Sequence, residues 1–366
     1  MRYIGEKEIE DIATGAAILG AGGGGDPYIG KLMAIDAVRK NGPVRLLDPD
    51  TISDDALVIP VAMMGAPTVL EEKACNGGEY KALCKMVEDH FGRKIDALMP
   101  MEAGGFNSML PVAAAANMGL PLVDVDGMGR AFPELQMVTF TLGGISASPM
   151  ALADEKGNSV IFNTISNKWT EELARAVTMS CGGSVSVTLY PMNGKQVKEY
   201  GVKGIVTKSE NLGKTVRTLK KHGTKETLKV FLEETKGYAL FQGKIADVRR
   251  ETNGAFNLGT IELEGIEKYI GKKAQVEFQN ENLLCRVDGK IVATVPDLVC
   301  VVDCENFNAV TTETLKYGKR VFVIGLPCYH LWRTEEGLKL AGPRYFGIDT
   351  DYKPIEERIK GLNDEI

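Results

Sequence analysis

The sequence predicts a two-domain protein: an α/β layered domain followed by a mainly β domain, the latter a small barrel or sandwich. Three observations lead there. The chain has 366 residues, more than one compact core usually fills. Its first part alternates helical and strand-like periodicity, and its later part changes to the two-residue alternation of strands.

Taken in order, "EKEIEDIATGAAIL" has a helical period, and "DPYIGKLMAIDAVRK" is a second helix, with Asp26 placed to cap it and Pro27 at its first position. "ALVIPVAMM" reads as a buried strand, "GGEYKALCKMVEDHFG" as a helix, "IDALMPM" as a strand, "NSMLPVAAAANMG" as a helix ending at Gly119, and "LPLVDVDG" as a strand. That alternation predicts a largely parallel sheet. "MALADEKGNSVIFN" is a hairpin turning at Lys156-Gly157-Asn158, and Asn167 is the expected cap of the helix in "NKWTEELARAVTMSCGG". After "GSVSVTLYPM" come two helical patterns near 206–221 and 224–234. A strand-rich run follows, in which Asn253-Gly254 and Asp288-Gly289 mark hairpin turns. The domains are placed at 1–165 and 166–366, with 331–366 expected to pack back on the first.

Composition narrows the function. With 43 Lys and Arg against 49 Asp and Glu, the surface is mildly acidic and lacks a basic run suited to nucleic acid or anionic lipid. The charged N-terminal stretch does not resemble a signal peptide, and no apolar run reaches membrane-spanning length. Seven cysteines without a Cys-x-x-Cys pair read as reduced, buried thiols of a cytoplasmic protein.

Four consecutive glycines, Gly22 to Gly25, precede Asp26 and Pro27. A dinucleotide fingerprint requires a strand before the loop, whereas 6–19 reads as a helix; no Gly-Lys-Ser/Thr follows, so no nucleotide is expected. Two readings remain. The run is either a tight helix–helix turn with close backbone packing, or an amide-lined loop at a helix start that receives an anion or a polarised carbonyl.

Three further clusters carry candidate chemistry. "MPMEAGGFN" places Glu102 and Asn107 directly after a strand, where ligands of open α/β sheets bind; the alternative has Asn107 capping helix 108–118 and Glu102 solvated. In "LVDVDGMGRAFPELQM", Asp124 and Asp126 share one face of a strand. They form either an acid/base pair or a structural network bridged by Arg130. "LPCYHLWRT" holds His330, the best placed of three histidines to carry a proton near neutrality.

"LGAGGGGDPY", "EAGGFN", "VDVDGMGRAFPELQM" and "GLPCYHLWRT" followed by "GPRYFGID" together resemble the S-methyl-thiohydantoin desulfurase-like family over most of the chain. The resemblance implies an α/β domain followed by a mainly β domain. It also implies a hydantoin-like ring as substrate, with water adding at C2 and methanethiol leaving. For that chemistry Asp124 or Asp126 is expected as general base, Glu102 as a group orienting water or holding a cation, and His330 as proton donor to the departing sulfur. Gly23, Gly24, Gly25, Asp26, Asn107 and Arg130 are expected around the substrate, with the glycine amides stabilising charge on the ring and Arg130 taking a carboxylate. The carboxylate count leaves room for a divalent cation and leaves the metal undecided. The expected partner is a small-molecule substrate, with neither nucleic acid nor membrane, and the expected assembly is a homo-oligomer. The alternative function is a non-catalytic subunit or sensor that binds hydantoin-like metabolites in the same cleft.

Overall fold

The structure is a computed structural model and describes residues 2–65, 69, 78–253 and 256–363. The helices Glu6–Leu19, Pro27–Asn41, Glu79–Phe91 and Gly105–Met118 stand where helical periodicity places them. Asp26 caps as its spacing implies: its carboxylate accepts from the Tyr28 amide at 2.8 Å, with Pro27 in the first turn.

Strands β1 (Arg2–Ile4), β2 (Val44–Leu47), β3 (Leu57–Gly65), β4 (Ala97–Pro100) and β5 (Leu122–Val123) are followed by β6 (Val125–Asp126), β7 (Met150–Ala153), β8 (Ser159–Phe162), β9 (Ser184–Thr188), β10 (Met192–Asn193) and β11 (Val202–Lys203). In the described residues the first sheet runs β1-β2-β5-β4-β3-β9-β7-β8, with β10 also on β3, while β6 and β11 pair separately. Only β2, β5, β4 and β3 run parallel; the remaining neighbours are antiparallel. The sheet is therefore mixed rather than largely parallel. The cause is β9, which lies antiparallel on β3 and carries the hairpin β7–β8 beyond it, with β7 antiparallel to β9. β3 is apolar and buried over residues 57–64, as a central strand covered on both faces must be.

Two of the smaller expectations shift by a residue or two. Ser166 caps the helix Asn167–Ser180, accepting from the Trp169 amide at 3.3 Å, and Asn167 instead reaches Ala147 and Ile145. The helix Gly105–Met118 begins before Asn107, which leaves that side chain free of capping.

The second sheet consists of β12 (Tyr238–Asn253), β13 (Phe256–Gly265), β14 (Lys273–Gln279), β15 (Glu281–Val287), β16 (Lys290–Thr294), β17 (Leu298–Asp303) and β18 (Arg320–Leu326). Its order is β16-β15-β14-β13-β12-β18-β17, antiparallel throughout, and it curls into a half-barrel around Phe241, Ile261, Val276, Cys285 and Val323. Asp288 and Gly289 have φ of 46° and 80° between paired Val287 and Lys290, a two-residue turn with both centres left-handed. Gly254 of the other turn lies outside the described residues; the strands beside it pair up to Asn253 and Phe256. Trp332 is fully buried against the first sheet's core, its indole N–H donating to the Met128 carbonyl at 2.8 Å, whereas Ile355 enters the half-barrel core.

The expectation of buried thiols holds for half of the described cysteines: Cys84, Cys285 and Cys300 are buried, and burial pushes each up to about 12, whereas Cys181, Cys304 and Cys328 are only partly buried. No helix of the described residues is long and apolar enough to cross a membrane.

Candidate active site

The glycine run is the joint of the molecule. Carbonyls of Ala21 and Gly22 accept from the amides of Asn282 and Thr312 at 2.8 and 2.9 Å, tying the loop to the half-barrel. Those of Gly24 and Gly25 accept from Phe106 at 2.9 and 3.2 Å, so the first turn of the helix Gly105–Met118 closes on them. What approaches too closely for side chains is a second glycine pair and one glutamate. A Cβ on Gly24 would stand 2.4 Å from the Gly104 Cα, and one on Gly23 would stand 1.9 Å from the Glu281 carboxyl oxygen.

Beside this joint lies a cleft at the carboxyl ends of β3 and β4, with about 660 Å³ of space when the solvent at its mouth is included. Glu102 follows β4 and Asn107 sits in the first turn of the next helix. Glu281 enters from the half-barrel, and Pro133, Glu134 and Arg175 form part of the outer wall. Asn107 joins the floor together: its amide donates to Glu102 at 2.7 Å and to the Met63 carbonyl at 3.2 Å, while its oxygen accepts from the Met63 amide at 2.9 Å.

Two carboxyl groups of the cleft hold protons unusually well. Burial pushes Glu102 up to about 7, against the pull of Asn107, a Phe132 backbone donor and the Arg130 charge. Burial moves Glu281 well above the usual range, and the Glu102 charge reinforces it, with Arg130 opposing. One carboxyl oxygen of Glu281 has no hydrogen-bond partner among the described residues. A buried, unpaired carboxyl oxygen is costly unless the group is neutral or meets a ligand. Glu281 was absent from the sequence-based candidates; the polar trio Asn280-Glu281-Asn282 at the start of a strand is its signal.

The pH dependence of stability follows. A carboxyl group with a folded-state value raised above its unfolded 4.5 binds its proton more tightly when folded. Its contribution is whole below 4.5 and is lost as pH rises through about 7. Melting temperature is expected to fall between roughly pH 5 and 8. The Glu102→Gln variant is expected to show a shallower fall, and Glu313, also held at about 7 by burial, accounts for part of the remainder. A variant curve as steep as the parent's removes Glu102 as a source.

The other expected site residues are distributed as follows. Gly24, Gly25, Glu102 and Asn107 border the cleft; Gly23 backs onto Glu281. Asp124 interrupts the strand between β5 and β6, and its carboxylate accepts from the Val206 amide at 2.8 Å, the Thr207 amide at 3.2 Å and the Thr207 hydroxyl, capping the helix Ile205–Leu219. Asp126 is fully buried and accepts from the Met128 and Gly129 amides at 3.2 and 2.9 Å. Burial raises it well above the usual range, and it senses the Glu102 charge. Arg130 is fully buried and donates to the carbonyls of Ala131, Pro296, Asp297 and Asn282 at 2.9, 2.9, 3.1 and 3.3 Å, a clamp between the two sheets. Asp26 caps its helix at the edge of a different cleft, and His330 is exposed, its ring 4.3 Å from that of Tyr329. Sequence cannot distinguish an arginine that awaits a carboxylate from one that satisfies buried carbonyls. Among the described residues no three histidine, cysteine or carboxylate side chains converge as a metal site.

Fold and cleft define a two-layer protein in which an α/β layer and an antiparallel half-barrel each supply one carboxyl group to the same cleft. The chain belongs to the S-Me-THD-like family: its N-terminal domain model matches residues 7–164 and its C-terminal domain model residues 165–355. That membership points to hydantoin-related chemistry. A crystal structure of a protein from Chromobacterium violaceum is similar over 97% of this chain and 100% of that one, with a TM-score of 0.82 at 23% identity, a likeness of fold. No curated protein matches the chain.

Proposed function

We propose that the protein is a hydrolase acting on a small hydantoin-type ring, releasing methanethiol from an S-methyl-thiohydantoin. The observation that supports this most is the pair of buried carboxyl groups, Glu102 and Glu281, bordering one cleft and both raised above the usual carboxyl range by burial. Two such groups divide acid and base work between them. Glu102, near 7, is the base, and Glu281, held protonated, is the acid.

In the first step a water oxygen bonds to C2 and its proton passes to the Glu102 carboxylate, while Glu281 protonates the ring nitrogen whose double bond to C2 opens. In the second, the new hydroxyl returns its proton to Glu281 as the C2 carbonyl forms. The C2–S bond breaks, and Glu102 protonates the sulfur. Methanethiol and the hydantoin leave, and both glutamates regain their starting states. Asn107 orients Glu102 between the strand end and the ring, and Asp126 lies behind as an electrostatic neighbour.

The test is incubation of the purified protein with a panel of S-methyl-thiohydantoins, thiohydantoins and hydantoins, with methanethiol and hydantoin measured by mass spectrometry. Product is expected only from the S-methyl compounds. The value of kcat/KM should fall below about pH 7 as Glu102 takes up its proton. Silence across the panel together with measurable hydantoin binding would make the protein a metabolite-binding module instead.

A further inference from the structure

The cleft's outer wall holds a cation that this reaction sequence leaves unused. Arg175, on the helix Asn167–Ser180, borders the cleft beside Pro133, Glu134 and Leu135. Its guanidinium is fixed on three sides. Nε donates to a Glu171 oxygen at 2.8 Å, and Nη2 donates to that oxygen and to the Pro133 carbonyl, the latter at 3.2 Å. One face lies over the Phe256 ring at 4.5 Å. Among the described residues Nη1 makes no hydrogen bond, and its two N–H donors belong to a rigid, preorganised fork.

The charges around that edge decide which acceptor it suits. Glu171 lies against Arg175, and Glu134, on the same wall, is bonded by Lys168, Tyr345 and Gln136. Burial would raise Glu134, yet those bonds hold it below the usual range, so it is ionised. Burial raises Glu171, but the ionised Glu134 already stands on that wall, and a further carboxylate would meet it as well as Arg175. An uncharged oxygen acceptor meets no such opposition. The hydantoin ring presents one, the carbonyl separated by a single nitrogen from C2. When water adds at C2, the electron pair moving onto that nitrogen is shared with the carbonyl oxygen, where a guanidinium edge stabilises it.

We propose that Arg175 receives this ring carbonyl and thereby selects imide-type five-membered rings over rings of the same size that lack it. The assignment deepens the hydrolase reading and rests on it for the orientation of the ring, but binding tests it without turnover. Calorimetric titration would compare hydantoin with 2-imidazolidinone, in which that one carbonyl is a methylene. On the parent protein hydantoin is expected to bind roughly ten- to a hundredfold more tightly, the range of a charge-assisted hydrogen bond. Arg175→Met is expected to erase the ratio, and Arg175→Lys to restore part of it. Because both ligands are measured on the same protein, a change in the folded fraction cancels. Equal binding to the parent, a ratio that survives Arg175→Met, or binding of neither ligand would overturn the assignment, as would tighter binding of a hydantoin carrying a side-chain carboxylate. An absence of methanethiol release with the hydantoin preference intact would overturn hydrolysis and leave Arg175 in place.

Discussion

Glu281→Gln lowers kcat by roughly two to four orders of magnitude, the usual worth of a positioned general acid, and leaves the melting temperature at neutral pH nearly unchanged. The second half of that expectation is what makes the first informative. Glu281 is buried, and its neighbour's charge and its own burial keep it protonated, so at neutral pH the native side chain is already uncharged. Glutamine has the same shape and the same charge, and it removes only the transferable proton. A structural glutamate would tolerate that exchange without kinetic consequence. The check is kcat measured beside a melting curve and a pH profile. Activity within about threefold of the parent would take Glu281 out of the mechanism, since loss of a general acid costs far more. Glu102→Gln is expected to lose activity on a similar scale and also to remove the acid limb near pH 7. Glu281→Gln should leave that limb in its place, because the protonated Glu281 carries no charge to act on Glu102.

Local order in this chain is legible where short-range rules govern it. Asp26 and Pro27 start a helix because a carboxylate cap and a preset φ act within three residues, and Asp288-Gly289 turns a hairpin for a comparable reason. Glu102 was legible too, since the carboxyl end of a strand is where such sheets bind ligands. The pairing of β9 with β3 and β7 was not, because those partners are far apart in the chain and nothing in "SVSVT" names them. Glu281 was hidden for the same reason: its relation to Glu102 exists only after the half-barrel docks on the glycine joint through Asn282 and Thr312. Asp124 and Asp126 share a strand in sequence, but a break at Asp124 sends one carboxylate to a helix start and the other to a local turn.

The glycine run gives the largest expected loss of stability. Gly24→Ala is expected to cost roughly 2–5 kcal/mol, from the left-handed backbone and from overpacking together. Gly24 has φ of +72°, a region that alanine enters only with strain. The added methyl would stand 2.4 Å from the Gly104 Cα, and backbone on both sides cannot rotate away as a side chain could. Relief would require moving the first turn of the helix Gly105–Met118, whose Phe106 amide bonds the Gly24 carbonyl at 2.9 Å. That turn carries Asn107, so the surviving folded fraction should also misplace Glu102. Gly23→Ala separates the two effects. Its φ lies outside the left-handed range, and the new methyl would meet the Glu281 carboxyl, a side-chain end, at 1.9 Å. It is expected to lose less stability than Gly24→Ala and more activity per folded molecule. Melting curves and kcat for the two variants decide the matter. If Gly24→Ala melts within a few degrees of the parent, the backbone contact between the two glycine clusters does not hold the joint. If Gly23→Ala keeps full activity, Glu281 has room to move and its proton is not held where the reaction needs it.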